Sequence, residues 1–222
     1  MKIVLGIPSL DRDELLAKAI VSAKEAGFKD IYVMRERFPR PRPAIISDLN
    51  RYVFNELEAD VCVTGSDRCR YHKGFVDALE EVFTEPYMLA GTNILNCPFH
   101  KDVTEFCFVA YDKVFAEHFP QMHTECPDYW HFYADTELGL FAKEIGRYKY
   151  CEGAKISMEH PNTGAPKDAT WKASRIFAFE DKQVRKGRER AGLLWGRTFD
   201  RLESVSFSQR RLENLEKNYE RP

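Results

Sequence analysis

The sequence has no CxxC pair, no internal repeat and no low-complexity tract, and no apolar run approaches the ~20 residues that cross a bilayer. Each absence excludes a class. Six cysteines placed singly (Cys62, Cys69, Cys97, Cys107, Cys126, Cys151) are not a disulfide framework, and they predict free thiols. The missing apolar run excludes a membrane-spanning helix. The opening Met1-Lys2-Ile3-Val4-Leu5-Gly6-Ile7-Pro8 is too short and too quickly charged for a secretory signal, so the expected location is the cytoplasm. What remains is a 222-residue chain, 44% hydrophobic, 13% aromatic and 31% charged, long enough to bury a substantial core. Its net charge of −2 is unevenly spread. Residues 170–222 hold 13 Lys and Arg against 8 Asp and Glu, a surplus of +5, leaving −7 for the rest. Such a tail either faces a polyanion or forms an exposed helix rich in both signs.

The first 34 residues alternate as an open α/β unit. Lys2–Ile7 reads as a buried strand. A helix follows, with Asp11 and Glu14 at capping-box spacing, an apolar stripe of Leu15, Leu16, Ala19, Ile20 and Ala23, and Gly27 as the terminating glycine. Asp30–Met34 reads as a second strand, and the strand–helix–strand order predicts a parallel connection with any ligand near the strands' carboxyl ends. The Arg35–Arg42 segment carries +3 and several prolines, so it is a loop. From Ala44, the spacing of Ile45, Leu49, Val53 and Leu57 predicts a second helix, and Asp60–Thr64 a third strand running into Gly65-Ser66-Asp67-Arg68. Further on, the pattern predicts helix over Phe75–Phe83, strands over Tyr87–Gly91 and Phe106–Tyr111, and helix over Asp135–Ile145 stopped by Gly146. The sheet is therefore expected to be mixed. After the Pro161, Gly164, Pro166 cluster, strand signals vanish and two or more helices are expected, giving a boundary near 165: residues 1–165 as the main domain and 166–222 as a helical, basic extension.

Three places carry candidate chemistry. Asp67, on a turn after a buried strand, suits a hard divalent cation that also binds phosphate oxygens, or simply a turn's local hydrogen bonding. Asp135-Thr136-Glu137 opens a helix, where carboxylates are favoured by the helix dipole and by capping. His160, in Glu159-His160-Pro161-Asn162, sits where a strand ends and suits a metal ligand or an edge cap.

In order along the chain, Pro8-Ser9, Ser66-Asp67, Asp135-Thr136-Glu137-Leu138, Gly146 and His160 resemble the GT-A glycosyltransferases, most closely the inverting family-2 branch, over about residues 1–162, and the stretch from His160-Pro161 through Asp168, Trp171 and Asp181 to Arg185 resembles the C-terminal part of its small phage-type members. The resemblance implies an α/β GT-A (Rossmann-like) mixed sheet flanked by helices, and a metal-dependent, inverting enzyme that moves a sugar from a nucleoside-diphosphate sugar, by default a UDP-sugar, to an acceptor hydroxyl. The family's acidic DxD motif corresponds to Gly65-Ser66-Asp67, which keeps only the last carboxylate. By resemblance, Asp135 is the catalytic base with Glu137 orienting the acceptor. Asp67 and His160 would hold Mn²⁺ or Mg²⁺, and Pro8, Ser9, Arg35, Ser66 and Asp67 would contact the donor. A 5-hydroxymethylpyrimidine in DNA, as in phage DNA modification, is one acceptor, with Trp130, His131 and Tyr133 available to stack on it. A surface glycan or lipid-linked saccharide is the other. A reading from a different class is a zinc-stabilised nucleic-acid-binding module, with Cys97, His100, His123 and Cys126 as CxxH and HxxC ligand pairs.

Overall fold

Ile3, Leu5 and Ile7 point to one face of the first strand and Val4 to the other, and both faces are buried, so the strand needs cover on two sides. The computed structural model describes residues 1–10, 12–96 and 106–219, with the backbone alone for 162, 169, 170 and 216–219. Its elements are β1 (Ile3–Ser9), α1 (Asp13–Glu25), β2 (Asp30–Arg35), α2 (Arg42–Arg51), β3 (Val61–Thr64), β4 (Cys69–Tyr71), α3 (Phe75–Val82), β5 (Leu89–Ile94), β6 (Val109–Asp112), α4 (Lys113–Glu117), α5 (Ala134–Glu144), β7 (Tyr148–Met158), α6 (Ala169–Ile176), α7 (Ala178–Arg190) and α8 (Gln209–Tyr219).

The strands form one mixed sheet in the order β2-β1-β3-β6-β5-β7-β4. β1 pairs in parallel with β2 and β3; β6 runs antiparallel to both β3 and β5; β5 and β7 are parallel, and β4 is antiparallel to β7. One core lies on the face where Leu16, Ala19 and Ala23 of α1 and Phe75 and Leu79 of α3 meet Leu5, Ile7 and Val63. The other face gathers Ile46 and Leu49 of α2, Leu138 and Phe141 of α5, and Val184 of α7. This is the expected α/β architecture with a helical extension.

Local chemistry explains the boundaries. Gly27 and Gly146 follow α1 and α5 at φ +106° and +69°, left-handed positions that a side chain would strain. Asp11 lies outside the described residues, and Arg12 occupies the N-cap position of α1. α2 starts at Arg42, two residues before the pattern predicts, because Pro43 falls in its first turn, where a missing N–H costs nothing. A π-helical turn, Tyr52–Glu56, continues it. β5 and β6 are shifted towards their carboxyl ends relative to expectation, and three-residue β4, five-residue α4 and the long β7 are additional to the pattern-based assignment. Cys62, Cys69, Cys107, Cys126 and Cys151 are free thiols; Cys97 and His100, half of the zinc set, lie outside the described residues.

The extension is stitched into the body. Phe177 stacks on Trp130 with ring centroids 4.0 Å apart, and Ala173 and Leu215 complete that cluster. Arg188 of α7 is fully buried. No helix of the described residues is long and apolar enough to cross a membrane.

Candidate active site

Strand order reverses at β1, whose two neighbours β2 and β3 connect through helices on opposite faces, and a crevice opens beyond the carboxyl ends of such strands. The register Gly6↔Thr64, with the Gly65 amide donating to the Gly6 carbonyl at 2.8 Å, brings Ser66-Asp67 beside Pro8-Ser9. Asp67 is completely buried there. The Ser9 hydroxyl donates to Asp67 Oδ2 at 2.8 Å, the Ser66 hydroxyl to Oδ1 at 3.3 Å, and Arg12 Nη2 lies 2.7 Å from Oδ1. Burial pushes the Asp67 carboxyl above its ordinary pKa, against the opposing pull of Arg12 and Ser9. Arg68 donates to the Glu159 carbonyl at 2.7 Å and to the Asp168 carboxylate, which also caps α6 through the Trp171 amide at 2.8 Å. His160 follows; burial first, then Arg68, lowers its pKa.

The second half of the site forms at the start of α5. Asp135 Oδ1 accepts from the Thr136 amide at 2.8 Å, and Oδ2 faces Arg42 Nη1 at 3.1 Å. Arg42 also reaches Glu125 Oε1, from Nη2 at 2.8 Å and Nε at 3.0 Å. Glu125 is 1% exposed, and its Oε2 is buried with no hydrogen-bond partner among the described residues. Burial raises its pKa to about 7. His131 feels both halves: burial first, then Arg42, His160 and Arg12, push its pKa down to about 3, which favours the neutral ring. An uncharged imidazole among cations can donate or accept a hydrogen bond without adding charge.

Of the sequence-derived residues, Ser9, Ser66 and Asp67 come together, and His131, His160 and Asp135 belong to the same electrostatic neighbourhood. Pro8 pairs in register with Met34 at the end of β1. Arg35 lies at the rim, ion-paired to Asp13 at 2.6 Å, beside an open depression lined by Met34, Glu36, Phe38 and Arg40. Trp130 is 7% exposed and packed between Phe177 and Phe207. The Glu137 oxygens accept from Arg188 Nε at 2.8 Å, the Tyr129 hydroxyl at 2.6 Å and the Trp195 amide at 2.9 Å. Tyr133 is half-buried at φ +68°, with the Arg185 guanidinium 5.1 Å from its ring centre.

The sequence assigns no role to Arg12 or Glu125, marks Arg42 and Arg188 only as members of the basic loop and the basic tail, and includes Asp181 only in the resemblance. Asp181 accepts from the amides of Trp130, His131 and Phe132 at 2.7, 2.8 and 2.8 Å, and so fixes the segment that leads into Asp135.

The donor set for a divalent cation is thin. Among the described residues, no three His, Cys, Asp or Glu side chains gather as a metal site, and Asp67, the one carboxylate in the expected place, is already paired with Arg12. These residues do not fit a cation held by the protein, and of the four zinc candidates only His123 and Cys126 are among the described residues.

No family model matches the chain, and no curated protein matches it. Among solved structures, the chain is similar to the catalytic domain of Drosophila β1,4-galactosyltransferase 7 in complex with xylobiose (TM-score 0.52, 18% identity, 67% of this chain and 64% of that one). It is also similar to the mannosyltransferase PcManGT from Pyrobaculum calidifontis in complex with GDP-Man and Mn²⁺ (TM-score 0.54, 9% identity, 98% of this chain and 68% of that one). The chain thus spans about two thirds of the length of each, slightly less for the first. At these identities the shared property is the fold, and the fold is GT-A-like, that of glycosyltransferases.

Proposed function

We propose that this chain is a glycosyltransferase that moves a sugar from a nucleoside-diphosphate sugar, by default a UDP-sugar, to an acceptor hydroxyl. The observation that carries the reading is a GT-A-like fold that holds one buried carboxylate, Asp67 on Arg12, beyond the β1/β3 ends and another, Asp135 on Arg42, at the start of α5. The arginines paired there, Arg12 with Asp67 and Arg68 with Asp168, suit the diphosphate end of a donor, and Asp135 suits the attacking hydroxyl. In the single displacement that this implies, a bond forms from the acceptor oxygen to the anomeric carbon as the bond from that carbon to the diphosphate oxygen breaks. The electron pair leaves with the diphosphate, the acceptor proton passes to Asp135, and the anomeric centre inverts. A general base so placed contributes roughly 10²–10⁴ in rate. Arg42 holds Asp135 in position from α2, and Ser9 and Ser66 orient Asp67.

The mannosyltransferase holds Mn²⁺ with its donor; an ion at the corresponding place here would meet one carboxylate that is already ion-paired. No step is therefore assigned to it. For the acceptor, we favour a hydroxymethylated pyrimidine in DNA. Supporting it, Lys167 and Arg175 lie over the Trp171 ring at 5.0 and 5.8 Å, and Arg175 over Phe132 at 5.4 Å, a run of cations and aromatics beside Asp168. Such interleaving suits a nucleic-acid strand. The basic tail itself argues less for DNA than its composition suggests, because Arg188 is buried on Asp128, Arg201 pairs with the same carboxylate and Arg197 with Glu144.

Mass spectrometry of acceptors incubated with UDP- and GDP-sugars tests this, using plain DNA, DNA bearing 5-hydroxymethylpyrimidine, and oligosaccharides. A hexose-sized gain on hydroxymethylated DNA alone is expected. A gain confined to oligosaccharides would keep the glycosyltransferase and remove the DNA acceptor.

A further inference from the structure

Gly65 stands where the resemblance would put a second carboxylate. A Cβ built on Gly65 falls 2.4 Å from the Tyr71 hydroxyl, 2.8 Å from a Leu5 methyl and 3.2 Å from the Gly6 carbonyl oxygen, so a side chain there requires Tyr71 and Leu5 to shift against a tight backbone contact. The packing therefore favours glycine over a second acid beside Asp67.

What fills the vicinity is arginine. Arg12 Nη2 lies 2.7 Å from Asp67 Oδ1, and its Nη1 is 3.8 Å from Asp168, which Arg68 grips from the other side. The Arg12 side chain is 16% exposed, so its guanidinium is anchored on the buried carboxylate and open at one edge. Its Nε is buried and has no hydrogen-bond partner among the described residues. A guanidinium offers five N–H donors, and among the described residues Asp67 is the carboxylate at hydrogen-bonding distance from Arg12. The fold thus orients a cation at the switch point with its Nε unpartnered among the described residues.

We propose that Arg12, held in orientation by Asp67, is the group that takes up the charge of the departing diphosphate, with Asp67 a positioning carboxylate for the arginine rather than a metal ligand. The inference rests on the glycosyltransferase reading and adds to it that nucleotide binding does not depend on a divalent cation. As the anomeric bond breaks, its electron pair moves to the diphosphate oxygen and Arg12 donates hydrogen bonds to that oxygen. No proton moves there, because the acceptor proton goes to Asp135. Planar, always-charged guanidinium suits this role better than lysine.

The test is isothermal titration of UDP and of GDP into the full chain, once in EDTA and once in Mn²⁺. At least one nucleotide is expected to bind in EDTA with a Kd within about threefold of its value in Mn²⁺. Arg12→Ala should weaken that binding by about 10- to 100-fold, Arg12→Lys by less, and Asp67→Asn should weaken it while leaving it indifferent to Mn²⁺. Circular dichroism confirms that each variant is folded, and the wild-type comparison stands without them. Binding that needs Mn²⁺ by tenfold or more overturns the inference and leaves the proposed function standing. Full nucleotide affinity in Arg12→Ala does the same. Binding of neither nucleotide under either condition overturns both.

Discussion

Asp135 and Glu125 are ten residues apart in sequence, share one arginine, and are set to different tasks by their surroundings. Asp135 keeps a guanidinium on Oδ2 and an amide on Oδ1, which stabilise its charge, whereas Glu125 is sealed off with one oxygen unpartnered and its pKa raised to about 7. Asp135→Asn should therefore retain donor binding and lose transfer, read as an unchanged nucleotide Kd with product formation down by about 10²-fold or more. Unimpaired transfer by Asp135→Asn would remove it from the role of base. Glu125 gives a stability prediction of definite sign. Its folded pKa lies above its ordinary value, so the folded state keeps a proton that the unfolded chain has released, and stability falls as pH rises from about 4.5 to 7. The loss is up to about 3 kcal/mol. Urea unfolding of wild type and Glu125→Gln between pH 4 and 8, scanned in steps of about one unit, should show the wild-type curve falling relative to the variant across that window. The difference cancels the opposite contributions of His131, His123 and His160, whose lowered pKa values make stability rise with pH. Parallel curves would contradict the assignment.

The same contrast recurs among the elements, where α7 does more for the site than its sequence announces. Asp181 holds three successive amides ahead of α5, and Arg188, fully buried, grips Glu137 and Asp128 at 2.8 and 2.6 Å. Asp181→Ala would leave those donors without an acceptor. We expect a loss of about 3 kcal/mol or more in urea unfolding, with transfer lost in the same variant, and a smaller effect for Asp181→Asn, which keeps one acceptor oxygen. Arg188→Ala strands two buried carboxylates and should cost about 3–5 kcal/mol. Wild-type stability in either variant would show that α7 merely rests on the body. The element patterns themselves were unevenly legible. β1, α1 and β2 could be read because apolar residues recur at strand and then helix spacing between clear stop signals. β4 and α4 are too short to show a period, and β7 breaks its alternation where the register with β5 shifts between Thr92 and Asn93. Asp67 and Asp135 could be found because each follows or opens a readable element. Arg12, Arg42 and Asp181 act through partners 49 to 93 residues away, and no local pattern marks such pairs.

At the scale of the molecule, a mixed sheet covered on both faces puts every strand in competition for helix cover, and the chain meets it with close approaches. A Cβ on Gly6 would lie 2.6 Å from the Leu49 side chain, so α2, which carries Arg42 to Asp135, packs at a distance that only glycine permits. Gly6→Ala should therefore cost about 1–3 kcal/mol in urea unfolding through overpacking, whereas a neutral result would mean that α2 shifts freely. The extension belongs to this packing, since Val184 and Trp195 enter the core beneath α5 and Trp130 is enclosed by Phe177 and Phe207. The basic surplus counted from the sequence is partly met by acids of the body, where Arg188 and Arg201 pair with Asp128 and Arg197 with Glu144. The account thus predicts a catalyst whose acid–base half is braced by its own C-terminal helices. The most direct measurement is release of nucleoside diphosphate from a panel of UDP- and GDP-sugars, with hydroxymethylated DNA or oligosaccharide present, by wild type and by Asp135→Asn. The account predicts release from at least one donor by wild type, accelerated by one acceptor, with that acceleration absent in the variant. No release from any donor with either acceptor, in EDTA or in Mn²⁺, would contradict it.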